Sequence, residues 1–296
     1  FQSIPAVTGE DPLRFYAGQP LRAPGGERVG SLCILDTKPH SIDAGDLGLL
    51  RDLADLVEKE LAMSAELSQA AEVQRQLLPK APPTVPGYQI AGRCVPAAEV
   101  GGDFFDWYTL DDGTPQITLA DVMGKGVPAA LIAASVRAIL RGGSLHNELE
   151  AAVNKSAHGM ESDLDETGRF VTLFTARIDQ ATGTVTYVDA GHGLSIILDT
   201  SGGHRELISD GLPLGAVAGD RWQSHTALLA PGETLMSVSD GFLDFYDTTA
   251  NAIAGAIRAT AETVTAQQLV DRMVAFSARH LPTDDLTVVI VRRDAE

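Results

Sequence analysis

The sequence predicts an α+β protein whose sheets are antiparallel and covered by helices. Two observations carry this. Apolar, β-rich runs follow one another in sequence order beyond the proline-rich stretch "PKAPPTVPG" (79–87), and helical patterns come in pairs instead of alternating singly with strands. A doubly wound parallel sheet would alternate the two.

Residues 1–40 read as strand and turn. "PGGERVGSLCILDTKP" has a Gly-Gly turn feeding an apolar run from Val29 to Leu35, closed by Asp36 and Pro39. Residues 42–78 contain no proline, and Leu47, Leu50, Leu53, Ala54, Val57, Leu61, Leu67, Ala71, Leu77 and Leu78 recur at helical spacing, predicting one long helix or two with a break. A heptad with a at 50, 57, 64, 71, 78 and d at 53, 60, 67, 74 is apolar except at Glu60, Ser64 and Gln74. A parallel coiled-coil dimer and a helix packed on its own domain both remain open.

After the proline-rich boundary, strands are expected at 88–95, 104–110, 115–121, 170–179, 183–190, 194–199, 223–229, 233–239 and 285–292. Helices are expected at about 127–141 and 145–160, the first nearly all apolar as a helix buried on a sheet would be. "TAQQ" (265–268) has capping-box form ahead of a further helix. "HGMESDLDETGRF" (158–170) is polar and acidic and reads as a mobile surface loop.

Composition narrows the function. With 40 acidic against 22 basic residues and a formal charge of −18, the surface repels nucleic-acid phosphates and anionic lipid. Carboxylates are also hard-metal ligands, so part of the excess can sit in a cation site. Cys33 and Cys94 lie far apart in strand-like stretches, which supports neither a disulfide framework nor a cysteine-based zinc site. No apolar run reaches the roughly 18 residues that span a bilayer, no secretory leader pattern opens the chain, and a cytoplasmic location is expected. The missing initiator Met suggests a fragment.

Aspartates punctuate the strand ends. Asp103 and Asp106 stand in "EVGGDFFDW" (99–107), Asp121 leaves a strand in "QITLADVMGKG", Asp240 follows another in "TLMSVSDGF", and Asp284 and Asp285 enter a third in "LPTDDLTVVIV". One Asp-Gly is normally a turn. Several at strand ends can converge where sheets meet, and converging carboxylates require cations. Oxygen-only ligands select Mg2+ or Mn2+, and two such ions activate water against a phosphate ester.

As an ordered set, "EVGGDFFDW", "DVMGKG", "DAGHG", "SDGF" and "DDLTVVIV" resemble the motifs of the PPM-type metal-dependent serine/threonine phosphatases, in particular the SpoIIE/RsbU branch; with "VQRQLLPKAPPTVPG" before them, the resemblance covers about residues 72–293. Residues 11–61 separately resemble the C-terminal half of a GAF domain. The implied fold is a sandwich of two antiparallel β-sheets flanked by helices, preceded by a partial GAF α/β segment (1–63) and a helical linker (64–86), with the phosphatase domain at 87–296.

The resemblance implies that Asp121 bridges two Mn2+ or Mg2+ ions, or three, that the Val122 carbonyl completes one shell, that Asp240 and Asp284 bind the second ion, and that Asp103 reaches the site directly or through water, with Gly102 allowing the backbone to approach. Asp121 and Asp103 would carry the catalysis. Eukaryotic members have a His shortly after the bridging Asp-Gly, whereas Met123 and Lys125 follow here; Lys125 is open to a phosphate contact or a solvent-facing turn. Asp106, His192 and Asp285 read as structural residues near the site, with the Asp285 side chain expected to point away because its neighbour Asp284 takes the metal side of an extended strand. In a phosphatase the 158–170 loop could be a flap.

The activity implied is hydrolysis of phosphoserine or phosphothreonine on a protein, by family an anti-sigma-factor antagonist, under control of a GAF sensor with an unknown ligand and of a linker that could form a homodimer. A phosphatase-like binding module without turnover is the rival reading, disfavoured by the complete aspartate set. A nuclease is disfavoured by the charge.

Overall fold

The computed structural model describes residues 12–208, 211–275 and 283–295. Contacts divide the chain into two compact units, Phe1–Ala70 and Ala71–Glu296.

In the first unit, strands β1 (Phe15–Arg22) and β2 (Arg28–Asp36) pair antiparallel around a turn in which Gly26 has φ 88°. Helix α1 (Ala44–Leu77) begins there and is one uninterrupted helix. Asp43 caps it, its Oδ1 accepting the Asp46 N–H at 2.9 Å. Leu50 and Ala54 are buried, while Leu49, Leu53, Leu56 and Met63 stay exposed. The first eleven residues of the expected strand-and-turn zone lie outside the described residues.

The second unit is the expected two-sheet sandwich. One sheet has the order β10 (His225–Leu228), β7 (Thr184–Ala190), β6 (Val171–Ile178), β5 (Pro115–Val122), β4 (Phe104–Thr109); the other has β3 (Tyr88–Val95), β12 (Leu286–Arg293), β11 (Thr234–Val238), β8 (Ser195–Leu198), β9 (His204–Glu206), and every pairing is antiparallel. Strand periodicity fixes the layers, because successive side chains take opposite faces. On β5, Ile117 and Leu119 enter the core between the sheets, while Ala120 and Val122 meet helices α2 (Val127–Ser144) and α3 (Leu149–Thr167). On β12, Val289 and Val291 face inward, while Val288 and Ile290 pack against α4 (Thr249–Ala261) and α5 (Ala266–Val274). Burial on both faces explains why these strands read as unbroken apolar runs.

The loop expected at 158–170 is instead mostly the last turns of α3. Ala157, Met160 and Leu164, at spacings of three and four, are buried against the sheet. Gly168 then ends the helix in the left-handed region (φ 61°), its N–H donating to Asp165 O and that of Arg169 to Leu164 O, both at 3.0 Å. A few apolar residues on one face suffice to hold a helix whose other face is acidic. Helix α4 was not expected: "TANAIAGAIRATA" buries only alanines, Ala252, Ala256 and Ala259, which give little apolar contrast. Strand β9 is too short to show a period.

Candidate metal centre

The register of β4 and β5 brings the first two acids together. Phe104 pairs with Ala120, so Asp103, one residue before β4, stands opposite Asp121 near the end of β5. Both share the inward parity of their strands, with Phe105 and Trp107 on one and Ile117 and Leu119 on the other. The pair closes the open end of the inter-sheet core. Asp106 has the opposite parity and meets α2, where Arg137 Nη2 lies 3.3 Å from its Oδ1 and Arg141 Nη1 3.5 Å from its Oδ2. Phe104 and Phe105 are both buried, one under the helices and one between the sheets.

The second sheet supplies the rest. Asp240 opens a short 3-10 turn (Asp240–Phe245) after β11, and Asp284 and Asp285 lead into β12, which pairs with β11 from Val238 and Val288 onward. Gly241 follows Asp240 because any side chain there would collide with the Asp285 carbonyl. Asp284 is half-exposed, and its Oδ2 lies 3.1 Å from Lys125 Nζ, which also donates to the Thr283 carbonyl.

Asp285 corrects the expectation that it turns away. It carries the inward parity of β12, is buried, and accepts N–H bonds from Ala97 (2.8 Å), Gly102 (2.7 Å) and Asp103 (3.3 Å). An extended-strand argument put it on the far side; the loop before β4 folds over to meet it. Gly102 is pressed against the other sheet as well: a Cβ there would lie 2.6 Å from the Val122 carbonyl oxygen.

These acids form one electrostatic group. Burial first, then the charge of Asp121, holds the Asp103 carboxyl well above the usual carboxylate range, with the Thr287 and Ser239 hydroxyls working the other way. Burial, then Asp240 and Asp284, raises Asp121 to about 6. Asp240 is raised by burial and by Asp284. Asp103 Oδ2 is buried without a hydrogen-bond partner among the described residues. A buried, unsatisfied carboxylate oxygen beside two more acids is an environment that a divalent cation relieves. The donor set, carboxylates with the Val122 carbonyl beside them, suits a hard cation. Among the described residues no three acidic, His or Cys side chains close on a common point.

His192, flanked by Gly191 (φ 70°) and Gly193 (φ 65°), is a buried framework residue. Its N–H donates to Asp189 Oδ1 at 2.8 Å and its Nε2 lies 3.1 Å from Ser237 Oγ. Burial lowers its pKa to about 4, so the ring is neutral near pH 7.

Two residues carried no separate sequence signal. Gln74 on α1 bonds the backbone of Gly101; in the sequence it was only a misfit in a heptad. Arg169 donates to the Met123 carbonyl, placing a guanidinium over the turn after Asp121; a lone Arg before a strand has no pattern. A cleft of about 340 Å3 between α3 and residues 215–222 contains none of the motif aspartates.

A sandwich of two five-stranded antiparallel sheets between helix pairs, with acids gathered at one edge, defines the PP2C phosphatase fold class. The chain is similar to the SiaA-PP2C domain of Pseudomonas aeruginosa (22% identity, TM-score 0.62, covering 80% of this chain and 98% of that one) and to the catalytic domain of serine threonine protein phosphatase PstP in complex with 2 manganese ions (16% identity, TM-score 0.55, 69% and 97%). In sequence, phosphoserine phosphatase RsbU of Bacillus subtilis (strain 168) is 26% identical over 180 residues, 60% of this chain and 53% of the relative.

The profile described as Stage II sporulation protein E (SpoIIE) matches residues 111–294, and the chain belongs to that family. The match includes Asp121, Asp240 and Asp284 and begins after Asp103. The chain spans 32% to 53% of the length of the curated relatives that match it over 180 residues or more.

Proposed function

We propose that this protein hydrolyses phosphoserine or phosphothreonine on a protein substrate, using divalent cations held at the edge of the sandwich. The observation that carries this reading is the opposition of Asp103 and Asp121 across the β4–β5 register, with Asp240 and Asp284 close enough to raise the Asp121 pKa. Asp103, Asp121, Asp240 and Asp284, with the Val122 carbonyl, would hold two Mn2+ or Mg2+ ions, or three.

Bound there, the ions supply a water that is nucleophilic at neutral pH and a clamp for phosphoryl oxygens. The chain's own part is orientation. Asp103 and Asp121 present oxygens on one face, Asp285 fixes the loop before Asp103, and Gly102 lets that loop approach Val122. Lys125 balances Asp284. The buried Phe105 and Trp107 back the site with a rigid apolar wall, and neutral His192 takes no part in proton transfer.

The family supports a phosphorylated anti-sigma-factor antagonist as substrate. The hairpin and long helix of the first unit support the reading of a GAF remnant with an unknown ligand, and the exposed leucines of α1 support a homodimer through this helix. We propose a cytoplasmic location; among the described residues no helix is long and apolar enough to cross a membrane. The complete aspartate set favours turnover over a silent binding module. The test is release of phosphate from a phosphoserine protein of the antagonist type. Release that needs Mn2+ and stops on chelation supports the reading; binding of the phosphoprotein without release supports the silent module.

A further inference from the structure

Helix α3 holds residues 215–224 along one of its faces. Glu150, Asn154 and Glu161, at spacings of four and seven, share that face. Glu150 Oε2 accepts the Ser224 N–H at 2.9 Å, and Glu161 Oε1 accepts the Gly219 N–H at 2.6 Å. Between them Asn154 Oδ1 accepts the Trp222 N–H at 3.1 Å while its Nδ2 donates to the Trp222 carbonyl at 2.8 Å. The segment is therefore an arch pinned to the helix at intervals. Under it lies the cleft of about 340 Å3.

The bends of the arch are fixed by the backbone. Gly215 (φ 83°) and Gly219 (φ 73°) stand in the left-handed region, and a Cβ at 215 would lie 2.8 Å from Leu164 Cβ and 3.1 Å from the Arg169 carbonyl oxygen. A cleft preformed in this way loses little entropy on binding. Its floor is apolar, with Ala157 and the Trp222 indole buried and Trp222 Nε1 donating to the Leu212 carbonyl at 2.6 Å. Its mouth is cationic. Lys155, His158 and Arg221 are all exposed there, on a chain whose formal charge is −18. The acids beside them are already engaged: Glu161 Oε2 lies 3.3 Å from His158 Nδ1, and Asp220 Oδ1 accepts the Arg221 N–H at 2.9 Å. Lys155 gives one of its three donors to Asn147 Oδ1, and the Arg221 guanidinium has no partner among the described residues.

We infer that this cleft binds a small aromatic anion, its ring body seated on Ala157 and Trp222 and its anionic head held between Lys155 and Arg221. A flat apolar body matches the indole, and the volume suits a small ring system with a few polar contacts fixing its orientation. The cleft contains none of the motif aspartates, so the inference stands apart from the metal reading.

The experiment is fluorescence titration of the full chain with anilinonaphthalene sulfonate, which combines fused rings with one anionic head. Wild type is expected to show a saturable site that a chelator and Asp121→Asn both leave unchanged. Ala151→Trp, at a half-buried position lining the cleft, should abolish the site by filling it. Lys155→Glu and Arg221→Glu lie at exposed positions where folding is not at stake, and each should weaken binding about 10-fold or more, as loss of a charge-assisted contact does. Lys80→Glu makes the same charge change at an exposed lysine outside the cleft, and it should match wild type. Phenylnaphthylamine, which keeps the rings and lacks the sulfonate, should bind about 10-fold more weakly or worse. Wild type without a saturable site, undiminished binding in Ala151→Trp or in both glutamate variants, an equal loss in Lys80→Glu, or equal affinity for the neutral amine would each overturn the inference. Loss of the site on chelation or in Asp121→Asn would place the probe at the aspartate edge and overturn it too, while leaving the phosphatase reading intact.

Discussion

The Asp285 carboxylate accepts the Gly102 N–H at 2.7 Å across 183 residues of sequence, joining the entry of β12 in one sheet to the approach of β4 in the other. The second acid of "DD" is therefore the staple that brings the two halves of the acidic edge together. Asp284, one position earlier, is left facing Lys125.

Asp285→Asn keeps an acceptor oxygen but removes the charge that strengthens three N–H bonds. Each charge-assisted bond contributes about 1.5–3 kcal/mol, and partial retention leaves an expected net loss of about 2–3 kcal/mol. Thermal melting in the presence of a chelator measures it, and a drop of several degrees is expected. Mn2+ affinity should fall in parallel. A variant with unchanged melting would remove the staple from the account.

Lys125 is exposed and paired to Asp284 at 3.1 Å, and the pairing raises its pKa through the hydrogen bond to Asp284. A cation entering at Asp284 must displace or share with this ammonium. Lys125→Ala should therefore tighten Mn2+ binding about 2-fold to 5-fold, an effect that shrinks with added salt as exposed ion pairs do. A raised KM for an aryl phosphate with unchanged Mn2+ affinity would instead assign Lys125 to the substrate phosphate.

The His192 ring is buried beside Ser237 and its pKa is lowered to about 4 from an ordinary 6.5, chiefly by burial. The unfolded chain then binds a proton that the folded chain refuses between these values, so the His192 contribution is fully present above about pH 6.5 and is lost as pH falls toward 4. At about 1.4 kcal/mol per pH decade the loss is at most about 3.5 kcal/mol. Urea unfolding of wild type and His192→Gln should show stabilities that converge as pH drops from 7 to 4.5. A constant difference between them would contradict a neutral buried ring.

Much of this architecture was legible because its strands keep strict side-chain parity and its acids sit at their ends. The β5 run "QITLADV" shows both its burial on two faces and the exit at Asp121. The opposite facing of Asp103 and Asp106 follows from parity once the strand is drawn. What escaped depended on long-range contacts. The Asp285 side chain was expected on the far side because alternation puts the two acids of "DD" on opposite faces without saying which of them faces inward. The C-terminal turns of α3 escaped because Met160 and Leu164 are sparse anchors in an acidic stretch, and Gln74 escaped because its value lies in a glycine 27 residues away.

The central claim is that Asp121 and its neighbours make a cation-dependent phosphatase edge. It is tested most directly by hydrolysis of a chromogenic aryl phosphate by wild type and Asp121→Asn, each with Mn2+ and with a chelator. The account predicts activity in wild type with Mn2+ alone, abolished by chelation, and at least about 100-fold lower in Asp121→Asn. Equal rates for the two proteins, or wild-type activity that survives chelation, would contradict it.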